Sequence, residues 1–244
     1  MVRVSFNNLN GTFNASQSTY VITHGYNSSS QNSWISEMAN SLRLQNPNAN
    51  IIAVDWAAAA NTIFYSNAVN ATVSVGNQIA DYLIGVGANP NTTQLIGHSL
   101  GAHVSGIAGD RYDALTGVAI DTIVGLDPAG PSFEGGWFSR AKPESQRLDA
   151  TDATRVVALH TSETLGYDGR LADLDLYVNW DDAFQPGQWN FGGNHSYAHQ
   201  LYNKLLSGAS FIQDTINKTG THFDLFDINN DYLIGSVDVN TYAI

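Results

Sequence analysis

The 244-residue chain contains no cysteine, which excludes disulfides, thiol catalysis and cysteine-ligated zinc. Charge is scarce as well. Charged residues are 13% of the chain, about half the usual share, so the polar surface must be built mostly from Asn, Ser, Thr and Gln. Basic residues are the scarcer kind, with 10 Lys plus Arg against 22 Asp plus Glu. The net charge of −12 argues against nucleic acid and against electrostatic capture by anionic membranes. It is compatible with calcium binding, or with solubility alone. No apolar run is long enough for a bilayer span, since Ile51-Ile52-Ala53-Val54 is followed at once by Asp55. Met1-Val2-Arg3-Val4-Ser5-Phe6 has no signal-peptide core, which leaves a cytoplasmic chain, export by another route, or trimmed ends.

What the chain does have is centred on Leu95-Ile96-Gly97-His98-Ser99-Leu100-Gly101-Ala102-His103. An apolar run ends in Gly-X-Ser-X-Gly and passes directly into small residues at helical spacing, the strand, sharp turn and helix of a nucleophile elbow. At Gly97 and Gly101 a Cβ would collide with strand or helix as the backbone turns through a strained geometry that aims Ser99 outward. Ser99 is the candidate nucleophile, against the plainer reading of a Gly-rich turn before a helix.

Taken in order, residues 1–16 read as an edge strand or leading loop. Thr19 to Tyr26 is a buried strand entering a Gly turn, Trp34 to Leu44 a helix ended by Pro47, and Ile51 to Trp56 a strand. Ser66 to Val86 is helical by period. Further strands follow at Thr122–Asp127, Arg155–His160 and Leu174–Val178, and a last helix from about Ser196 to Leu206. Strands apolar on both faces and alternating with helices predict an α/β domain, a mostly parallel sheet covered on both sides, with its chemistry at the C-terminal strand ends. The expected organisation is one catalytic domain over 1–220 and an acidic tail over 221–244 that packs on it or extends it.

A serine hydroxyl needs a base, and the base needs a group that fixes its tautomer. Asp127 follows the strand after the elbow and is set by Pro128, whereas Asp173 and Asp175 flank a later strand and are reserves. The order Ser, acid, His leaves four histidines. His195 stands after Gly192-Gly193 in what reads as a loop just ahead of the last helix. His160 ends a buried run and reads as a hydrogen-bonded core histidine, His199 serves only if the loop folds differently, and His222 lies in the acidic tail. Donors for an oxyanion are expected from the backbone N–H of Leu100 and of Tyr26, after the His24-Gly25 turn. Removing one such donor costs roughly 2.7–4 kcal/mol in catalysis.

The elbow, Thr23-His24-Gly25-Tyr26, Val54-Asp55-Trp56, Gly125-Leu126-Asp127-Pro128, His160-Thr161 and Gln185-Pro186-Gly187 together resemble, in the same order, the pancreatic lipase family of α/β-hydrolases and its phospholipases. The resemblance implies the α/β-hydrolase fold, a Ser99, Asp127, His195 triad, and a serine carboxylester hydrolase acting on acyl lipids. It also implies a structural calcium held by Glu144, the Arg147 backbone oxygen, Asp149 and Asp152, a donor set that suits a hard cation. The tail around Phe223 to Val239 resembles an EF-hand loop with Asp227, Asn229, Asp231, Leu233 and Asp238 as ligands, although Tyr232 replaces the usual Gly and Asp238 the usual Glu.

Three departures from the family shape the expectation. The lack of cysteine points to a microbial branch. A C-terminal β-sandwich does not fit in this length, so no co-lipase is expected. The lid is reduced to Gln188 to Asn194, which predicts an open groove, activity on dispersed substrate without an interfacial jump, and transient membrane or micelle contact through Trp189 and Phe191. A secreted monomer is expected. The competing readings are a catalytically silent lipid- or partner-binding protein and an acyl transferase.

Overall fold

The computed structural model describes residues 2–135, 140–180 and 183–207, together with the backbone of 211–212, 222–223 and 235–237. Its elements in chain order are β1 (Ser5–Asn8), β2 (Thr19–Thr23), α1 (Ser33–Gln45), β3 (Asn50–Asp55), the short α2 (Ala57–Ala60), α3 (Tyr65–Val86), β4 (Thr93–His98), α4 (Leu100–Thr116), β5 (Thr122–Leu126), β6 (Arg155–His160), β7 (Leu174–Val178) and α5 (Phe191–Leu206). Three short strands follow: β8 (Phe211–Ile212), β9 (His222–Phe223) and β10 (Gly235–Val237).

The main sheet has the order β1-β3-β2-β4-β5-β6-β7-β10, with β8 and β9 paired separately. β1 runs antiparallel to β3, and the remaining neighbours in the main sheet are parallel. This mostly parallel sheet, with helices on both faces, has the α/β-hydrolase architecture. The leading segment thus forms an edge strand. The backbone of β10 lies beside β7 at the far edge. The EF-hand-like positions Asp227, Asn229, Asp231, Leu233 and Asp238 fall outside the described residues.

Side-chain alternation divides the interior into two cores. Along β3, Ile52 and Val54 face one side while Ile51 and Ala53 face the other, the period-two pattern of a strand buried on both faces. One core takes Val69, Val75, Ile79 and Leu83 from α3 and Val104, Ala108 and Tyr112 from α4. The other takes Trp34, Ile35, Met38 and Leu42 from α1 and Tyr197, Leu201, Tyr202 and Leu205 from α5. α3 ends where Gly87 turns into the left-handed region at φ 68°, which a glycine adopts without steric cost.

The last helix differs from expectation. α5 begins at Phe191, not near Ser196, because the Asn190 side chain accepts the Gly193 N–H at 2.8 Å and caps it. Gly192 and Gly193 therefore lie in its first turn, and His195 sits on the helix instead of in a loop ahead of it.

The elbow is the tightest approach in the sheet. A Cβ on Gly97 would run into the backbone of Gly101, and one on Gly101 into the Thr23 carbonyl oxygen, neither of which can move aside. Gly101→Ala should therefore lower stability by about 1–3 kcal/mol. Gly85→Ala, on the exposed side of α3 with nothing within 4 Å of the new methyl, should raise it by about 0.5–1 kcal/mol. Thermal melts of the two variants check the contrast.

Candidate active site

Ser99 occupies the turn between β4 and α4 at φ 59°, ψ −123°. Such a backbone costs a non-glycine residue on the order of 1–3 kcal/mol and persists only where the surroundings enforce it. Here the enforcing groups are the glycine contacts and the Ser99 N–H, which donates to the Leu126 carbonyl at 3.0 Å. One strand over, the Asp127 N–H donates to the Leu159 carbonyl at 2.7 Å. The ladder thus extends one residue past β4 and β5, and sets Ser99 and Asp127 at neighbouring strand ends.

Asp127 also has a positive φ, 46°, and is fully buried. Its Oδ1 accepts the backbone N–H groups of Thr161 (2.7 Å) and Ser162 (3.1 Å). Its Oδ2 lies 2.5 Å from His195 Nδ1. An ionised carboxylate can only accept, so the proton of this short bond is assigned to Nδ1 and Nε2 is left as the basic nitrogen. Ser99 and His195 line one cavity of 300 Å³ with Tyr26, Tyr65, Ala129, Pro131 and Leu165. The three side chains expected from the sequence are brought to a single rim.

The other candidates are occupied elsewhere. His160 is fully buried, with Nε2 2.8 Å from Asp175 Oδ1 and Nδ1 2.8 Å from the Tyr167 carbonyl. It is the core histidine its sequence position suggested, and it takes up one reserve carboxylate. Asp173, the other reserve, accepts the Val156 N–H at 2.7 Å. His199 stacks on Trp34 with ring centroids 4.8 Å apart, and burial, aided by His195, lowers it to about 4. The side chain of His222 is outside the described residues.

Several positioning residues carry no sequence signal of their own. His98 Nε2 lies 2.9 Å from the His195 carbonyl. Burial first, then the neighbouring His195 and His199, hold its pKa well below the ordinary value, so it is a neutral N–H donor that ties α5 to the elbow. His24 is also pushed down, chiefly by burial. Its Nε2 accepts the Trp56 N–H at 3.2 Å, its Nδ1 faces the Gly25 carbonyl at 3.0 Å, and the Trp56 indole donates to its carbonyl at 2.8 Å. This clamp holds the Gly25 turn against Ser99: a Cβ on Gly25 would come within 2.6 Å of Ser99 Cβ. The Tyr26 and Leu100 backbone positions expected to donate to an oxyanion are the residue after that turn and the first of α4.

The residues expected to hold calcium are only partly gathered. Asp149 and Asp152 are buried in one turn, where Asp152 Oδ2 accepts the Asp149 N–H at 2.8 Å and Asp149 Oδ1 accepts the Thr151 N–H at 2.8 Å. Asp152 Oδ2 and the Arg147 carbonyl oxygen both face Gly106 of α4. Burial, then the Asp149 charge, raise the Asp152 carboxyl to about 8, because two buried carboxylates without a cation do not both ionise readily. Glu144 departs from the expected set. Its side chain is 74% exposed and lies 3.5 Å from the Arg147 guanidinium. Among the described residues no three His, Asp or Glu side chains converge to hold a metal.

The family described as Lipase matches residues 4–200. Lipase member H of Oryctolagus cuniculus is 33% identical over 209 residues, covering 80% of this chain and 44% of that protein. Phospholipase A1 1 of Dolichovespula maculata is 40% identical over 178 residues, covering 68% of this chain and 54% of that protein. The chain thus spans about half the length of the curated relatives it matches. Among solved structures it is similar to mouse alpha/beta hydrolase domain-containing protein 10 at 13% identity and a TM-score of 0.49, over 84% of this chain and 92% of that one. With the match running from β1 into α5, over most of its length, the chain belongs to the lipase family.

Proposed function

We propose that this chain is a serine carboxylester hydrolase that cleaves acyl esters of lipids. One observation carries the reading: a strained Ser99 and a His195 bonded at 2.5 Å to buried Asp127 meet at one cavity. In this reading the Ser99 hydroxyl attacks the ester carbonyl and passes its proton to His195 Nε2. The N–H groups of Leu100 and Tyr26 receive the oxyanion, with the N-terminal end of α4 adding its partial positive charge. Asp127, held by two backbone donors, keeps Nδ1 protonated and stabilises the imidazolium without taking the proton. His195 then protonates the leaving alcohol, and water attacks the acyl-enzyme by the reverse route. Ser99→Ala should lower kcat on a short-chain nitrophenyl ester by about 10⁶ and abolish fluorophosphonate labelling. Turnover within about tenfold of the wild type would end this account.

The cavity walls favour an acyl chain, since Ala129, Pro131 and Leu165 give it an apolar side. In the chain, Ile63 (91% exposed) and Phe64 (67%) precede cavity-lining Tyr65, and Trp189 (85%) and Phe191 (56%) precede cavity-lining His195. Residues 56–80 and 183–203 contain no Asp, Glu, Lys or Arg, so a chain of net charge −12 presents two uncharged lips beside the cavity. These lips suit transient contact with an uncharged or zwitterionic lipid surface. Fully burying one such side chain is worth about 1.5–3 kcal/mol, so Trp189→Ser should weaken partitioning onto phosphatidylcholine vesicles about tenfold in a sedimentation assay.

Calcium fits Asp149, Asp152 and the Arg147 carbonyl oxygen as a structural ion, and Glu144 would have to turn inward to join them. With two carboxylates the site would be weak, roughly 10⁻⁴–10⁻³ M. Asp152 also gives the site a pH signature. Its folded value lies above the ordinary 3.8, at about 8, so the fold prefers the neutral acid. Stability from this group is full below about pH 4 and declines as pH rises toward 8. In chelator the melting temperature should fall across that window. Calcium should restore it most at the alkaline end, and Asp152→Asn should remove both effects in calorimetry.

A further inference from the structure

A second cavity, of 240 Å³, is lined by chain neighbours of residues that line the one at Ser99. Leu165 faces the first and Glu163 and Thr164 the second, while on α5 His195 faces the first and Asn194 the second. Trp180, Phe184 and Phe191 bring three aromatic side chains to the second cavity, with exposed Glu163 also in its lining and, among the described residues, no Lys, Arg or His there. The Trp180 ring is held edge-on by Tyr177 (centroids 4.9 Å) and His160 (6.2 Å), and Phe184 and Phe191 pair at 6.4 Å.

The polar floor is already engaged. Gln185 Nε2 donates to the Val178 and Thr161 carbonyls at 2.6 and 3.0 Å, and its Oε1 accepts from Asn179 Nδ2 at 2.9 Å. Asn194 accepts the Gln185 N–H at 2.9 Å and donates to the Ala183 carbonyl at 3.1 Å, and the Thr161 hydroxyl donates to the Asn194 carbonyl at 2.7 Å. Among the described residues, what remains for a ligand is three aromatic side chains, the Thr164 hydroxyl and one carboxylate. An anion would find repulsion and few donors. A quaternary ammonium has no N–H to satisfy, and it is drawn to aromatic faces and to negative charge. The volume is below that of a drug-sized site and suits a head group instead of a whole lipid.

We propose that this cavity receives the quaternary ammonium head of a choline phospholipid whose ester lies at Ser99. The proposal rests on the ester-hydrolase reading for its second half only; binding of the cation stands by itself. The test compares short-chain phosphatidylcholine, phosphatidylethanolamine and phosphatidylglycerol with identical acyl groups, each below its micellar concentration, and a nitrophenyl ester as a head-group-free control. The choline lipid should show the lowest KM. Phe184→Leu, which keeps apolar bulk and removes the ring, and Glu163→Gln should each reduce the choline-over-glycerol ratio of kcat/KM by about fivefold to thirtyfold, through KM. Both positions are exposed, so folding is not at stake. Equal use of the three lipids, or a ratio unmoved in both variants, overturns the proposal while leaving hydrolysis of the nitrophenyl ester to vouch for Ser99. If that ester is not turned over, NMR titration with tetramethylammonium decides. Shifts at Trp180 that weaken in Phe184→Leu support the cavity, and their absence in the wild type overturns it.

Discussion

The close approach of two backbones at the elbow is the constraint on which the rest of the site depends. Gly101 lies against the Thr23 carbonyl and Gly97 against Gly101, so at this crossing the first turn of α4 meets the ends of β2 and β4 backbone to backbone. That contact leaves Ser99 a backbone conformation few residues tolerate, and lifts its hydroxyl out of the sheet toward the cavity. The parallel register then carries the geometry sideways. His98 pairs with Leu126, and Leu126 with Leu159, so the residues just after β4 and β5 are neighbours. Asp127 needs no separate device to be placed near Ser99. It needs only to follow β5.

Holding the third member is harder, because His195 belongs to a helix on the opposite core from α4. Hydrogen bonds made by buried neutral groups do this work. His98 ties to the His195 carbonyl, the Thr161 hydroxyl to the Asn194 carbonyl, and the Gln185 amide to the ends of β6 and β7. His103, lowered to about 3 chiefly by burial, accepts the Leu148 N–H at 3.1 Å and faces the Ala129 carbonyl at 2.8 Å. It joins α4 to the loop that lines the cavity. Neutral imidazoles suit such positions because one ring donates and accepts at once without the desolvation cost of a buried charge.

The acidic turn beside α4 shows the opposite choice. Asp149 and Asp152 are buried together with local hydrogen bonds from Thr151 and the Asp149 N–H, whereas Arg147 spends its guanidinium on Glu144 and on the Leu148 carbonyl. In that arrangement the fold favours the neutral form of the Asp152 acid, pushed up by burial and by the Asp149 charge.

Much of the fold is legible in the sequence. The apolar stripes over Trp34–Leu44 and Ser66–Val86 became α1 and α3 with ends shifted by a residue or two, and each apolar run became a strand, since burial on both faces leaves a continuous signal. Gly-X-Ser-X-Gly named Ser99, and chain order with Pro128 named Asp127. The start of α5 is hidden in the sequence because Gly192 and Gly193 have the composition of a turn, while the Asn190 cap that lets them open a helix depends on the Gly193 N–H reaching its side chain. The positioning roles of His24, His98, Thr161 and Gln185 were hidden for a related reason. They are bonds between residues up to 97 positions apart. By itself the sequence determined the strand and helix alternation, the strained serine and the order of the reacting groups, all of which arise from local sterics and periodicity. Only the tertiary structure decided which histidine meets Asp127, that Glu144 stays away from the aspartate pair, and that three rings close a second cavity. Those outcomes depend on distances between segments, which no local preference encodes.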